Sequence, residues 1–146
     1  MLNVIGDKLD YQSKEGVAMP GKRILIIDDD PDLVEAVSLL LEAEGMEPLA
    51  AYGGNEGLAV ARAQIPDLII LDVMMEDKDG FAVAKEVAKD EKLSGIPVIM
   101  LTAVAEHSMD TNYAPQAAIR SLEADDWFPK PVDPAALVSR IKELLR

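Results

Sequence analysis

Short runs of branched aliphatic residues recur along the chain, each followed by a turn signal and then by apolar residues at helical spacing. Residues 23–27, RILII, are apolar after the first position and predict a strand buried on both faces. Asp30-Pro31 then supplies an N-cap followed by proline at the first helical position. Leu33, Val37, Leu40 and Leu41 follow at helical spacing, and Gly45 can end that helix. The stretch EPLAAY (47–52) predicts a weaker strand, and NEGLAVARAQ (55–64) a helix stopped near Pro66. LIIL (68–71) predicts a third strand, and Phe81, Ala84, Val87 and Ala88 the apolar face of the next helix. Ser94-Gly95 turns the chain into a fourth strand, PVIML (97–101). Residues 103–124 are expected to be helical in part, with Pro115 breaking or starting an element. DWF (126–128) predicts a short last strand. Asp133-Pro134 repeats the cap-and-proline device before a helix whose apolar face is Leu137, Ile141, Leu144 and Leu145.

Five strands alternating with five helices predict an α/β fold with a parallel sheet covered on both faces. Ligands of such sheets bind beyond the carboxyl ends of the strands. There the first strand ends in Asp28-Asp29-Asp30, the third in Asp72, the fourth in Thr102, and the fifth is followed by Lys130. Clustered carboxylates repel in a partly dry site and require a cation. Oxygen donors favour Mg²⁺ or Mn²⁺. Such a metal and the Lys130 ammonium would attract an anionic group, and Thr102 could hydrogen-bond its oxygen. A carboxylate, a divalent metal, a lysine and a hydroxyl suit phosphoryl transfer to or from the carboxylate. Asp30 is read as a helix cap only.

Composition narrows the remaining classes. The length of 146 residues suits one domain with a full core, and 49% hydrophobic residues exclude a disordered chain. A net charge of −13 argues against direct nucleic-acid binding, which needs clustered Lys and Arg. The absence of cysteine excludes disulfides, thiolate metal sites and a cysteine nucleophile, and fits a reducing compartment. No apolar run approaches membrane-spanning length, so no membrane partner is expected. Residues 1–20 mix charges without an apolar signal core and are expected to form a flexible leader to a domain at 21–146, with Met19 an alternative start. The lone histidine, His107, is expected on a solvated loop.

Four stretches, RILIIDDDPDLV, PDLIILDVMMEDKDG, IPVIMLTA and ADDWFPKPVD, together resemble the response-regulator receiver domains of two-component signalling over residues 21–146. The resemblance implies a flavodoxin-like doubly wound (βα)5 fold with strand order 2-1-3-4-5, in the cytoplasm. It implies that Asp72 accepts a phosphoryl group from the phosphohistidine of a histidine kinase or phosphotransfer protein. Asp28, Asp29, Asp72 and the backbone carbonyl of Met74 would hold Mg²⁺, with Mn²⁺ an alternative, and Thr102 and Lys130 would bind phosphoryl oxygens. Trp127 occupies the position of the aromatic switch residue. With Thr102 it would convert phosphorylation into a changed surface on the fourth helix, fifth strand and fifth helix, read by a downstream protein target. The Lys130-Pro131 bond is expected to be cis. No oligomeric state is implied, and no enzyme activity beyond self-phosphorylation and slow autodephosphorylation. That slowness follows from apolar Met74 and Val104, where the family can carry water-positioning polar residues.

Departures from the family pattern bear on output. Glu76 stands where proline is frequent, and the usual Gly-Ala before the fifth strand is missing from LEADDW. The segment between Thr102 and Lys130 is about six residues longer than the family pattern, an insertion in a connection that is ordinarily short. The chain ends at Arg146 just after the last predicted helix, giving the expectation of a stand-alone receiver or a fragment of a longer parent. A receiver-like scaffold that binds partners without phosphorylation is the alternative. A metal-dependent phosphohydrolase is disfavoured because Val73 and Met74, not a second acid, follow Asp72.

Overall fold

The five aliphatic runs form one parallel sheet, β1 (Arg23–Ile27), β2 (Glu47–Ala51), β3 (Leu68–Asp72), β4 (Val98–Thr102) and β5 (Asp126–Pro129), in the spatial order β2-β1-β3-β4-β5. The computed structural model describes residues 21–103 and 124–146. The expected leader at 1–20, the helix and insertion expected between 104 and 123, Val104 and His107 lie outside the described residues. Four helices occur among the described residues: α1 (Pro31–Ala43), α2 (Gly54–Gln64), α3 (Gly80–Lys89) and α4 (Pro134–Leu145). None of them is long and apolar enough to cross a membrane.

Alternation along the strands divides the core between the two faces of the sheet. Leu25, Ile27, Ile69, Leu71 and Met100 face α2 and α3, packing with Leu58, Ala61, Val83, Ala84 and Val87. Ile24, Ile26, Leu68, Ile70, Ile99 and Leu101 face α1 and α4, packing with Val34, Val37, Leu41, Leu137 and Ile141. Residues 68–72 and 98–102 are buried throughout, which is why these strands read as continuous apolar runs rather than alternating ones. Each fully buried aliphatic side chain contributes about 1.5–3 kcal/mol relative to exposure.

The predicted face of α3 needs correction. Its buried residues are Gly80, Val83, Ala84 and Val87. Phe81 is only half-buried against the core and Ala88 is exposed. The helix is rotated so that Gly80 meets the end of β3, where a Cβ would lie 2.2 Å from the Asp72 carbonyl oxygen. The caps follow the sequence. Asp30 accepts from the amides of Asp32 and Leu33, and Asp133 from those of Ala135 and Ala136. Asp79 caps α3 through the Ala82 amide.

Candidate functional site

The parallel register brings the chemistry-bearing residues to one edge. Ile27 pairs with Leu71, Asp72 with Leu101, and Thr102 with Pro129. Asp28, one residue beyond β1, is therefore flush with Asp72, and Lys130, one residue beyond β5, lies one position past Thr102. Backbone bonds fix the frame: the Asp28 amide donates to the Ala51 carbonyl at 3.1 Å, Val73 to Leu101 at 3.0 Å, and Lys130 to Thr102 at 2.7 Å. The Lys130-Pro131 bond is cis.

Three polar residues are buried here among aliphatics: Asp28 (0% exposed), Asp72 (3%) and Thr102 (1%). The Lys130 ammonium lies 3.0 Å from Asp28 Oδ2 and 3.0 Å from Asp72 Oδ1. Asp28 Oδ1 accepts the Asp30 amide at 2.9 Å. Among the described residues, Asp28 Oδ2 has a charged neighbour but no well-directed hydrogen bond, and Thr102 Oγ1 has no hydrogen-bond partner. Buried polar atoms without partners are uncommon and point to a group that completes the site.

Burial pushes the Asp72 carboxyl up, and the neighbouring Asp28 charge adds to this. Lys130 and the Met74 backbone amide pull it partly back, leaving a pKa of about 6. For Lys130, burial acts to lower the pKa, but the two carboxylates outweigh it and hold the ammonium above its ordinary value. One lysine thus faces two buried acids, and Asp29, exposed to solvent, adds a third. Asp28, Asp29 and Asp72 each offer one oxygen within 4.8 Å of the others. An all-oxygen set with one solvent-facing member fits a hard divalent cation that keeps some of its water, as Mg²⁺ does.

Asp28, Asp29, Asp72, Thr102 and Lys130 are thus gathered at one edge. Met74 turns its side chain to solvent, 58% exposed, just past Asp72. Trp127 is set back from the edge, pairing with Met100 and packing half-buried against the α2–α3 side of the core. Beside the acids lies a cleft of about 330 Å³ lined by Asp29, Tyr52, Gly53, Glu56, Glu76 and Asp77. Its contribution from Asp77 was not legible in the sequence, because the contact joins residues more than twenty positions apart. A larger apolar cleft, about 560 Å³, lies between α1 and the start of α4, lined by Leu33, Leu40, Val132 and Leu137 among others. It holds none of the three clustered acids.

The family model described as "Response regulator receiver domain" matches residues 24–142. The chain is 40% identical over 126 residues to the DNA-binding dual master transcriptional regulator RpaA of Synechocystis, a match covering 85% of this chain and 49% of that protein. It therefore spans about half the length of that relative. It is 33% identical to protein PilH of Pseudomonas aeruginosa over 84% of this chain and 97% of that one. A receiver domain protein (CheY-like) from Methanospirillum hungatei superposes with a TM-score of 0.75 at 31% identity, covering 86% of this chain and 94% of that one. With a matching pattern over most of its length, the same strand order and the same kind of relative in sequence and in structure, the chain belongs to the response regulator receiver domain family of two-component signal transduction.

Proposed function

We propose that the chain is a phospho-accepting receiver in which Asp72 takes a phosphoryl group from a phosphohistidine. The observation that carries this is the buried Asp72 carboxylate, in contact with the Lys130 ammonium and beside the buried Thr102 hydroxyl, which has no hydrogen-bond partner among the described residues. An Asp72 oxygen attacks phosphorus, the N–P bond breaks, and the departing imidazole keeps the electron pair and takes a proton. Lys130, tethered to Thr102 through its backbone, is poised to pair with a phosphoryl oxygen, and Thr102 Oγ1 to donate to another. Asp28 and Asp29, with Asp72 and the Met74 carbonyl, would hold Mg²⁺. Receiver domains typically bind this ion, which would offset the carboxylate charge and neutralise that of the incoming group. Trp127, half-buried on β5, is assigned the aromatic switch role, and a histidine kinase or phosphotransfer protein and a downstream protein are the partners.

Intact mass after incubation with Mg²⁺ and acetyl phosphate tests the reading. The expected result is one added phosphoryl group, absent from Asp72→Asn and absent without metal. If neither acetyl phosphate nor a phosphorylated histidine kinase labels the wild-type chain, the phosphorylation-independent scaffold replaces this reading.

A further inference from the structure

Helix α2 begins without a side-chain cap of its own. Gly53 occupies its N-cap in an extended conformation and offers no acceptor. The first amides of the helix are taken instead by a distant residue. Asp77 Oδ1 accepts from Gly54 at 2.9 Å and Asp77 Oδ2 from Asn55 at 3.0 Å. The approach is close on both sides. A Cβ on Gly53 would lie 3.1 Å from each Asp77 carboxylate oxygen, and one on Gly54 would lie 2.8 Å from the Lys78 carbonyl oxygen.

Asp77 belongs to the loop from Asp72 to Gly80, which carries Met74. That loop is fixed at its root, where Val73 donates to Leu101 at 3.0 Å and Gly80 to Val73 at 2.8 Å. Its far side is held to α3, through the Asp79 cap and an ion pair between Lys78 and Glu86. The ion pair reaches α2 only in series, since Glu86 also pairs with Arg62 at 3.4 Å near the far end of that helix. Among the described hydrogen bonds, the Asp77 pair is the one that ties this loop to α2. It does so from within the cleft that holds Asp29, Glu56 and Glu76, where a fourth carboxylate is repelled. Bonding to Asn55 and Gly54 keeps the Asp77 carboxyl below its ordinary pKa, so it stays ionised at the positive end of α2.

We infer that Asp77 is a positioning residue: by bridging to the first turn of α2 it clamps the Asp72–Gly80 loop, which carries the Met74 carbonyl that with Asp72 would hold the cation. The inference rests on the phospho-accepting reading above. A mere helix cap would stabilise α2 and do nothing else, and the two roles separate experimentally.

Three variants of the full chain suffice: Asp77→Ala, Asp77→Asn, and Asp77→Ala combined with Gly53→Ser. The last gives α2 a cap of its own in the space that the Asp77 oxygens vacate, without restoring the bridge. Amide exchange at Gly54 and Asn55 in metal-free protein reports the cap. Calorimetric titration with Mg²⁺ and the rate of labelling by acetyl phosphate report the clamp. Asp77→Ala is expected to speed amide exchange, weaken Mg²⁺ binding about tenfold and slow labelling by a similar factor, as loss of a group supporting metal ligands does. Asp77→Asn, which keeps one acceptor oxygen, is expected to recover part of both. The added Gly53→Ser is expected to recover amide protection but not Mg²⁺ affinity. The inference is overturned if Gly53→Ser restores Mg²⁺ affinity, or if Asp77→Ala leaves both affinity and labelling rate at wild-type values. A wild-type chain that binds Mg²⁺ through a clamp sensitive to Asp77, yet is labelled by no phosphodonor, would uphold the clamp and remove the phospho-accepting reading. A labelled wild type with an indifferent Asp77 would do the reverse.

Discussion

Asp72 is buried next to Asp28, so its ionised form is disfavoured in the fold, and its pKa rises from 3.8 to about 6. A carboxyl whose folded pKa is raised binds its proton more tightly when folded. Its contribution to stability is therefore complete below its unfolded pKa and is lost as pH rises through about 6. The loss corresponds to about 3 kcal/mol at 1.36 kcal/mol per unit. Asp77, Glu86 and Asp90 act oppositely, since their lowered pKa values add stability above the carboxylate range. Comparison with Asp72→Asn cancels those groups, because the amide resembles the protonated acid at every pH. In metal-free chemical denaturation the two proteins are expected to be nearly equal in stability at pH 4, the variant gaining by about 3 kcal/mol at pH 7.5. An advantage for Asp72→Asn that does not change with pH would mean that Asp72 is not held in this high-pKa state. The residue's chemistry was legible because an acid ends an aliphatic run. Its pairing with one lysine shared between two acids was not, since that depends on how Lys130 reaches back across β4.

At the scale of the element, sequence signals and structure part company at the ends of α2. Pro66 marks where the helix stops, and it stops at Gln64. Nothing in the sequence indicated that Ile65 would close it in the left-handed conformation, with φ 47°. A β-branched side chain is disfavoured there by roughly 1–2 kcal/mol, whereas asparagine tolerates it. Ile65 is 43% exposed, so only part of its side chain's burial is forfeited by replacing it. Ile65→Asn is expected to raise the stability of the domain by about 0.5–1 kcal/mol, read as a higher denaturation midpoint at unchanged slope. A lower midpoint would show that the Ile65 side chain contributes more by packing than its backbone loses. At the other end, the N-cap is Gly53 and the acceptor is Asp77. Local pattern cannot reveal a cap supplied from a different loop. The face of α3 is legible only in part, Ala84 and Val87 being buried as expected, for a related reason. Phe81 is apolar enough to be expected on that face, but with Gly80 close against Asp72 the helix buries Val83 and leaves Phe81 half-buried.

Across the whole molecule, sheet polarity and the edge that gathers the acids were legible because β1, β3 and β4 are apolar runs that give way to Asp28, Asp72 and Thr102 at their carboxyl ends, whereas the strand order came with the family resemblance. What the whole chain adds is charge. With a net charge of −13, any divalent ion is attracted to this protein in general, so a gain in stability on adding Mg²⁺ is not by itself evidence for a site. The cluster of Asp28, Asp29 and Asp72 makes a sharper demand. An ion bound only by the folded chain stabilises it by mass action, about 2.7 kcal/mol at a hundred times the dissociation constant. For a domain of this size that raises the melting temperature by roughly 10 °C. The gain is expected to vanish with EDTA and to shrink strongly in Asp28→Asn, which keeps nearly all of the net charge but loses a buried ligand. NaCl at equal ionic strength screens the −13 without entering the site and is expected to produce little of the effect. If NaCl reproduces the shift, or Asp28→Asn retains it in full, the stabilisation comes from the acidic surface at large, and the three carboxylates at the sheet edge are not where the ion is held.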